Sequence, residues 1–227
     1  RLTRKLPVNV KVADAAGISL DALDAYMKRR GILGYLDNIC TAGTRAAKII
    51  DNMLSFSRKS DRSKRRCNVV SLIENSLELA VNDYDLKKTY DFKRIDIIRE
   101  FYAEDLEINC EESKIQQALF NMLKNAAQAM KTGDDKAFQP KIILRLFRSS
   151  DQGDRACIEV EDNGPGMDTQ TREKIFEPFF TTKEVGLGTG LGLSVTYFII
   201  VDDHSGEMEV ESAAGQGCKF IIRLPLE

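Results

Sequence analysis

The chain has 227 residues, 43% of them hydrophobic and 30% charged, with 33 basic against 35 acidic side chains. That length and apolar content support one good core with a smaller appended unit, while a formal net charge of -2 gives no reason to expect a nucleic acid as partner. The five cysteines (Cys40, Cys67, Cys110, Cys157, Cys218) are scattered and never form a CxxC pair, which excludes a recognisable disulfide framework or zinc site and fits a reducing, cytoplasmic setting.

In chain order, Arg1 to Leu6 reads as the tail of a helix ended by Pro7, followed by a polar stretch to Gly17. Ser19 is placed to cap a short helix that runs through Arg30. From Ile32 to Arg58 the apolar residues Ile32, Tyr35, Leu36, Ile39, Ala42, Ala46, Ile49, Ile50, Met53, Leu54 and Phe56 recur at three- and four-residue steps, which predicts one long amphipathic helix. Such a stripe lies either on its own domain or against a partner helix, and half of a dimerising helical hairpin is the reading adopted. Arg58 to Arg66 is a charge run, read as a solvated linker in preference to an anionic-surface contact.

Beyond it the pattern predicts a helix over Val69–Asn82, strands over Ile95–Phe101 and Leu106–Ile108, and a strong helix over Glu111–Met130. Further strands are expected at Lys141–Arg148, Ala156–Glu161, Glu207–Ser212 and Lys219–Leu224. Strands gathered with helices to one side define an α+β class, an α/β sandwich whose mixed sheet is covered by helices on one face. The apolar run Val195–Val201 is far short of the roughly 20 residues that cross a bilayer. Opening on Arg1 and not on Met predicts a fragment, so any membrane attachment is expected through segments outside this chain.

Four clusters carry chemistry. Gly186-Leu187-Gly188-Thr189-Gly190-Leu191-Gly192-Leu193 sets glycines at every second position before an apolar run, the pattern of a backbone loop that approaches an anion closely and then opens a helix. Asn121, Lys124, Asn125 and Gln128 share one face of the predicted long helix, where amide oxygens would suit Mg²⁺; an ordinary polar face has the same spacing. Asp162-Asn163-Gly164-Pro165-Gly166-Met167 is first of all a turn. In a nucleotide site its Asp162 would accept from the exocyclic amine of adenine, Gly164 and Gly166 would leave room for the ring, and Met167 would wall it. Phe176-Glu177-Pro178-Phe179-Phe180-Thr181-Thr182-Lys183 either anchors a loop by its aromatic residues or brings hydroxyls and a point charge to a polyphosphate.

In this order and spacing the four clusters resemble the N, G1, F and G2 boxes of sensor histidine kinases, within the wider gyrase, heat-shock-chaperone, histidine-kinase and mismatch-repair ATPase superfamily. The resemblance covers about Val69 to Glu227, and Arg45 to Arg58 is similar to the second helix of the dimerisation and phosphoacceptor hairpin of nitrogen-regulator-type kinases. It implies a Bergerat-type ATP-binding domain over 69–227, a linker over 63–68 and a partial hairpin over 1–62 with its second helix at about 32–58. It implies ATP and Mg²⁺ as ligands, with Asn125 on the metal. Asn121, Lys124 and Lys183 would support the phosphates and the transition state, and Asp162 would read adenine. Thr182 and Lys183 would belong to the ATP lid, with Gly188, Thr189, Gly190, Leu191, Gly192 and Leu193 around the phosphates. A response-regulator receiver domain and a second copy of the chain are the implied partners.

Two departures stand out. The family's phosphoacceptor histidine is absent, since the only histidine, His204, lies in a turn before a strand. The acceptor is therefore expected outside this chain, which would leave it inactive in cis. Cys218 replaces the threonine or serine common near adenine, and a thiol is the poorer hydrogen-bond donor. ATP-hydrolysing members of the superfamily carry a glutamate base four residues before the metal asparagine. Asn121 stands there and cannot take a proton, so transfer is expected in preference to hydrolysis. The rivals are a nucleotide-binding interaction module and an ATP-hydrolysing clamp or chaperone.

Overall fold

A computed structural model describes residues 6–43, 64–82, 92–130, 138–149, 154–183 and 188–226. The chain divides into two compact units, Arg1–Leu54 and Ser55–Glu227. In the first, α1 (Pro7–Ala15), α2 (Leu20–Arg29) and α3 (residues 32–43) follow one another. Pro7 begins α1 within the stretch expected to be merely polar, because at the first helical position its missing N–H is not needed and its fixed φ suits the turn; the helix tail expected before it lies, over residues 1–5, outside the described residues. Ser19 caps α2 as expected, its hydroxyl oxygen accepting from the Ala22 N–H at 3.3 Å. Among the described residues of this unit only Ala13 is buried, while Val8, Val12, Tyr26, Tyr35 and Ile39 are exposed. The part of the expected long helix after residue 43 lies outside the described residues.

The second unit opens with β1 (Arg65–Asn68), directly followed by α4 (Val69–Asn82). Residues 65–68, expected in the linker, instead pair antiparallel with β3 (Glu107–Cys110), from Arg65 opposite Cys110 to Asn68 opposite Glu107. A basic run is compatible with a strand here because Arg65 ion-pairs with Glu112 and the backbone gains a ladder. A short 3₁₀ turn at Phe92–Arg94 buries Phe92 and leads into β2 (Asp96–Phe101).

The remaining elements are α5 (Glu112–Ala129), β4 (Lys141–Ser149), β5 (Arg155–Asp162), α6 (Thr169–Lys174) and α7 (Gly192–Tyr197), which runs on as a π-helical segment to Asp203. β6 (Glu207–Ser212) and β7 (Cys218–Pro225) complete a five-stranded mixed sheet in the order β2-β4-β5-β7-β6, parallel only between β2 and β4.

Period-two alternation sorts the sheet's faces. Ile142, Leu144, Leu146, Ile158, Val160, Phe220, Ile222 and Leu224 are buried, and α5 packs on α4, α7 and β5 through Ile115, Ala118, Leu119, Met122, Leu123, Ala126 and Ala127. The other face carries Arg145, which binds Glu100 at 2.6 Å and Glu159 at 3.3 Å and also pairs with Glu161; these carboxylates raise its pKa. Burying seven positions of α5 on one side turns Asn121, Lys124, Asn125 and Gln128 to the other, where all four are half-buried.

His204 joins the end of the π-helical segment to the start of α5. Its Nδ1 lies 2.6 Å from the Ile199 carbonyl and its Nε2 accepts from the Glu111 N–H at 3.1 Å, an arrangement that only the neutral ring with its proton on Nδ1 satisfies. Burial is the largest cause of its lowered pKa. The stabilisation is therefore complete above the ordinary value of 6.5 and is lost as pH falls through the lowered folded-state value. His204→Ala is expected to cost about 1–3 kcal/mol in urea unfolding at neutral pH, because two backbone groups lose their partner, and to abolish this acid sensitivity.

Candidate functional site

The polar face of α5 meets the glycine loop and the segment before it within the second unit. Asn121 Nδ2 donates to the Gly192 carbonyl at 3.2 Å and to Thr196 Oγ1 at 3.4 Å, which fixes the start of α7 against α5. One turn further, Lys183 Nζ donates to Asn125 Oδ1 at 3.2 Å and to Gln128 Oε1 at 2.5 Å. Burial lowers the Lys183 pKa, and the positive charge of Lys124 lowers it further. Lys124 itself stands 5.7 Å above the centre of the Phe120 ring.

The glycine loop folds back on the segment before it. Phe179 N–H donates to the Gly190 carbonyl at 2.9 Å, and both residues have left-handed backbones, with φ of 68° and 67°. A Cβ at Gly190 would sit 2.4 Å from the Phe179 carbonyl carbon, so the close approach requires glycine. Thr189 Oγ1 accepts from the Leu191 N–H at 3.4 Å, and Leu191 is buried, so this leucine anchors the loop through its side chain. Gly188 lies over Thr181 and Lys183, while Thr182 is exposed. Gly186 and Leu187 lie outside the described residues.

The second loop follows β5. Asp162 is buried at 5% exposure, and its Oδ1 accepts from the Gly164 N–H at 2.9 Å. Burial pushes its pKa up to about 6, against hydrogen bonds from the Gly164 and Cys218 backbone that favour the carboxylate. Gly164 packs on Met130, and Gly166 lies under the backbone of Ala213 and Gly217. The Met167 N–H donates to Ser212 Oγ, which donates in turn to the Gly217 carbonyl, at 2.9 and 2.7 Å.

Cys218, opposite Asp162 in the β5–β7 ladder, is a buried thiol whose pKa burial pushes up to about 12. The loop is thus braced by Ser212, Gly217 and Cys218, whose part sequence spacing could not show for Ser212 and Gly217 because they lie some 50 residues from Asp162 in the chain.

The expected site residues fall into two groups. Asn121, Asn125, Lys183 and Gly188 to Gly192 meet around α5, and Asp162, Gly164, Gly166 and Met167 form the β5 loop. Gln128 joins the first group by holding Lys183. The convergence of two neutral amide oxygens on one cation fits the donor set that Mg²⁺ takes, and the glycine backbone and cationic side chains fit a polyphosphate.

Residues 110–227 match the family of histidine kinase-, DNA gyrase B- and HSP90-like ATPases, to which this chain belongs. Within it, the chain is 35% identical over 179 residues to the signal transduction histidine-protein kinase AtoS of Escherichia coli (strain K12), covering 79% of this chain and 27% of that relative. The chain thus spans about a quarter of the length of that curated relative. The nucleotide-free catalytic domain of histidine kinase ThkA superimposes with a TM-score of 0.58 at 31% identity, covering 72% of this chain and 96% of that one. The structure of ThkA in complex with response regulator protein TrrA matches in fold, with a TM-score of 0.65 at 24% identity over 97% of this chain and 61% of that one.

Proposed function

We propose that this chain is the ATP-binding and catalytic part of a sensor histidine kinase, which passes the γ-phosphoryl group of ATP to a histidine outside the chain. The observation that carries the reading is the meeting of Asn125, Lys183 and the Gly188–Gly192 backbone on α5, beside an Asn121 amide already engaged with α7. Asn125 would hold Mg²⁺, which when bound supplies charge neutralisation on the phosphates. Lys124 and Lys183 add positive charge, the loop N–H groups orient the polyphosphate, and Asp162 accepts from the adenine amine.

Asn121 is no base: its amide takes no proton at neutral pH, and its Nδ2 is already engaged with Gly192 and Thr196. Catalysis would rest on positioning and electrostatics. In this reading residues 69–227 form the catalytic domain and 1–62 a partial dimerisation hairpin. A response-regulator aspartate takes the phosphoryl group next, and the chain works in the cytoplasm. No helix among the described residues is long and apolar enough to cross a membrane.

Calorimetric titration with Mg·ATP, Mg·GTP and ATP in EDTA tests the site. Binding of Mg·ATP in clear preference to the other two is expected, and equal affinity for all three contradicts the assignment. Asn125→Ala is expected to reduce the magnesium enhancement of ATP affinity by about tenfold or more; an enhancement equal to that of the wild type would move the metal elsewhere.

A further inference from the structure

Asn125 and Gln128 do not wait idle for a metal. Lys183 reaches both across the loop, with Nζ 2.5 Å from Gln128 Oε1 and 3.2 Å from Asn125 Oδ1, and its stem lies beneath the glycine loop, where a Cβ on Gly188 would meet Lys183 Cδ at 3.3 Å. The side chain is half-buried, and among the described residues the charge that acts on it is another cation, Lys124. A half-buried ammonium whose described partners are neutral amide oxygens is a weakly compensated charge. It occupies the same oxygens that a divalent ion would use.

We propose that Lys183 is a built-in counter-cation for the Asn125–Gln128 amide pair, displaced when a divalent metal arrives with its nucleotide. This rests on the reading of Asn125 as the metal-holding residue. A divalent metal held by an amide oxygen would repel an ammonium on the same oxygen strongly in a half-buried site. The two cations are alternatives there.

Displacement frees the ammonium from α5 and leaves it beside the incoming phosphates, where its charge is compensated. Metal and nucleotide binding are thereby coupled to a change in the Phe179–Lys183 segment. Metal-free nucleotide, which brings no competitor for the amide oxygens, does not detach Lys183 from Gln128. Part of the metal's binding energy is consumed in removing Lys183, and the contact of its ammonium with the phosphates offsets that cost.

The test uses this chain with ADP, which has no γ-phosphoryl group to transfer. Nitrogen-15 NMR of lysine ammonium groups, with Lys183 assigned by the signal lost in Lys183→Arg, is expected to show its resonance shifting at saturation with Mg·ADP and not with ADP in EDTA. The Gln128 carboxamide signals shift with it.

Lys183 and Gln128 signals that stay put while Mg·ADP binds would overturn the displacement and leave the nucleotide site intact. Failure of the wild-type chain to bind Mg·ADP at all would overturn the site reading itself, and this inference with it.

Discussion

Asp162→Asn is expected to cost the protein its adenine selectivity while making it harder to unfold. Burial holds the Asp162 pKa at about 6 against an ordinary 3.8, so at neutral pH the folded state carries an ionised group in a place that disfavours it. A shift of that size corresponds to about 3 kcal/mol between the two protonation states. Because the folded value is the higher one, the folded state binds the proton more tightly. Stability from this group is complete below pH 3.8 and declines as pH rises through about 6.

Asparagine removes the charge and can still accept from the Gly164 N–H. Its own amino group, however, presents a donor where the proposed adenine amine needs an acceptor. ATP affinity is expected to fall by about 100-fold in calorimetry, with the preference over GTP gone, while the urea midpoint rises at pH 7.5 and matches that of the wild type near pH 4. Wild-type ATP affinity should itself weaken as pH falls through about 6. Loss of both stability and affinity in the variant would instead assign Asp162 a purely structural role.

Gly166→Ala is expected to be the most destabilising single methyl in the β5 loop. The backbone is left-handed at φ 66°, and the added Cβ would lie 2.0 Å from the Ala213 carbonyl oxygen and 2.8 Å from that of Gly217. These are backbone atoms, unable to rotate aside. Gly215 provides the control: its φ is 79° and nothing lies within 4 Å of the added Cβ.

Gly215→Ala should therefore show only the conformational cost, about 1–2 kcal/mol. Gly166→Ala should exceed it by a further 2 kcal/mol or so in urea unfolding and weaken ATP binding as well. Equal losses at the two positions would mean that the loop does not rest on the β6–β7 turn as described.

Local chemistry made much of this molecule legible. The helix over Val69–Asn82 appears as predicted, the long α5 stripe differs from prediction only at its ends, and the principal strands fall where alternation placed them, because periodicity reports a buried face directly. The glycine loop was legible for a similar reason: a sequence with glycine at every second position has few uses other than close backbone approach.

Features that depend on distant partners were not. β1 is a strand because β3 lies beside it, and nothing in its basic run signals that pairing. α6 was missed because Thr169–Lys174 has no apolar period, although Asp168 is a capping residue whose Oδ1 accepts from the Thr171 N–H at 2.7 Å. α1 was missed because Pro7 was read only as a stop, although proline also suits the first turn of a helix. The Ser212 brace and the contact of Lys183 with Gln128 join residues far apart in sequence, and spacing carries no trace of either.

Transfer of the phosphoryl group is tested most directly by mixing this chain with γ-labelled ATP, Mg²⁺ and a separately produced helical hairpin carrying a phosphoacceptor histidine. Label on the hairpin that is labile in acid and stable in base is the predicted result. Tight Mg·ATP binding with an unlabelled hairpin, under conditions where the hairpin is shown to dock, would contradict kinase function and leave a nucleotide-binding interaction module in its place.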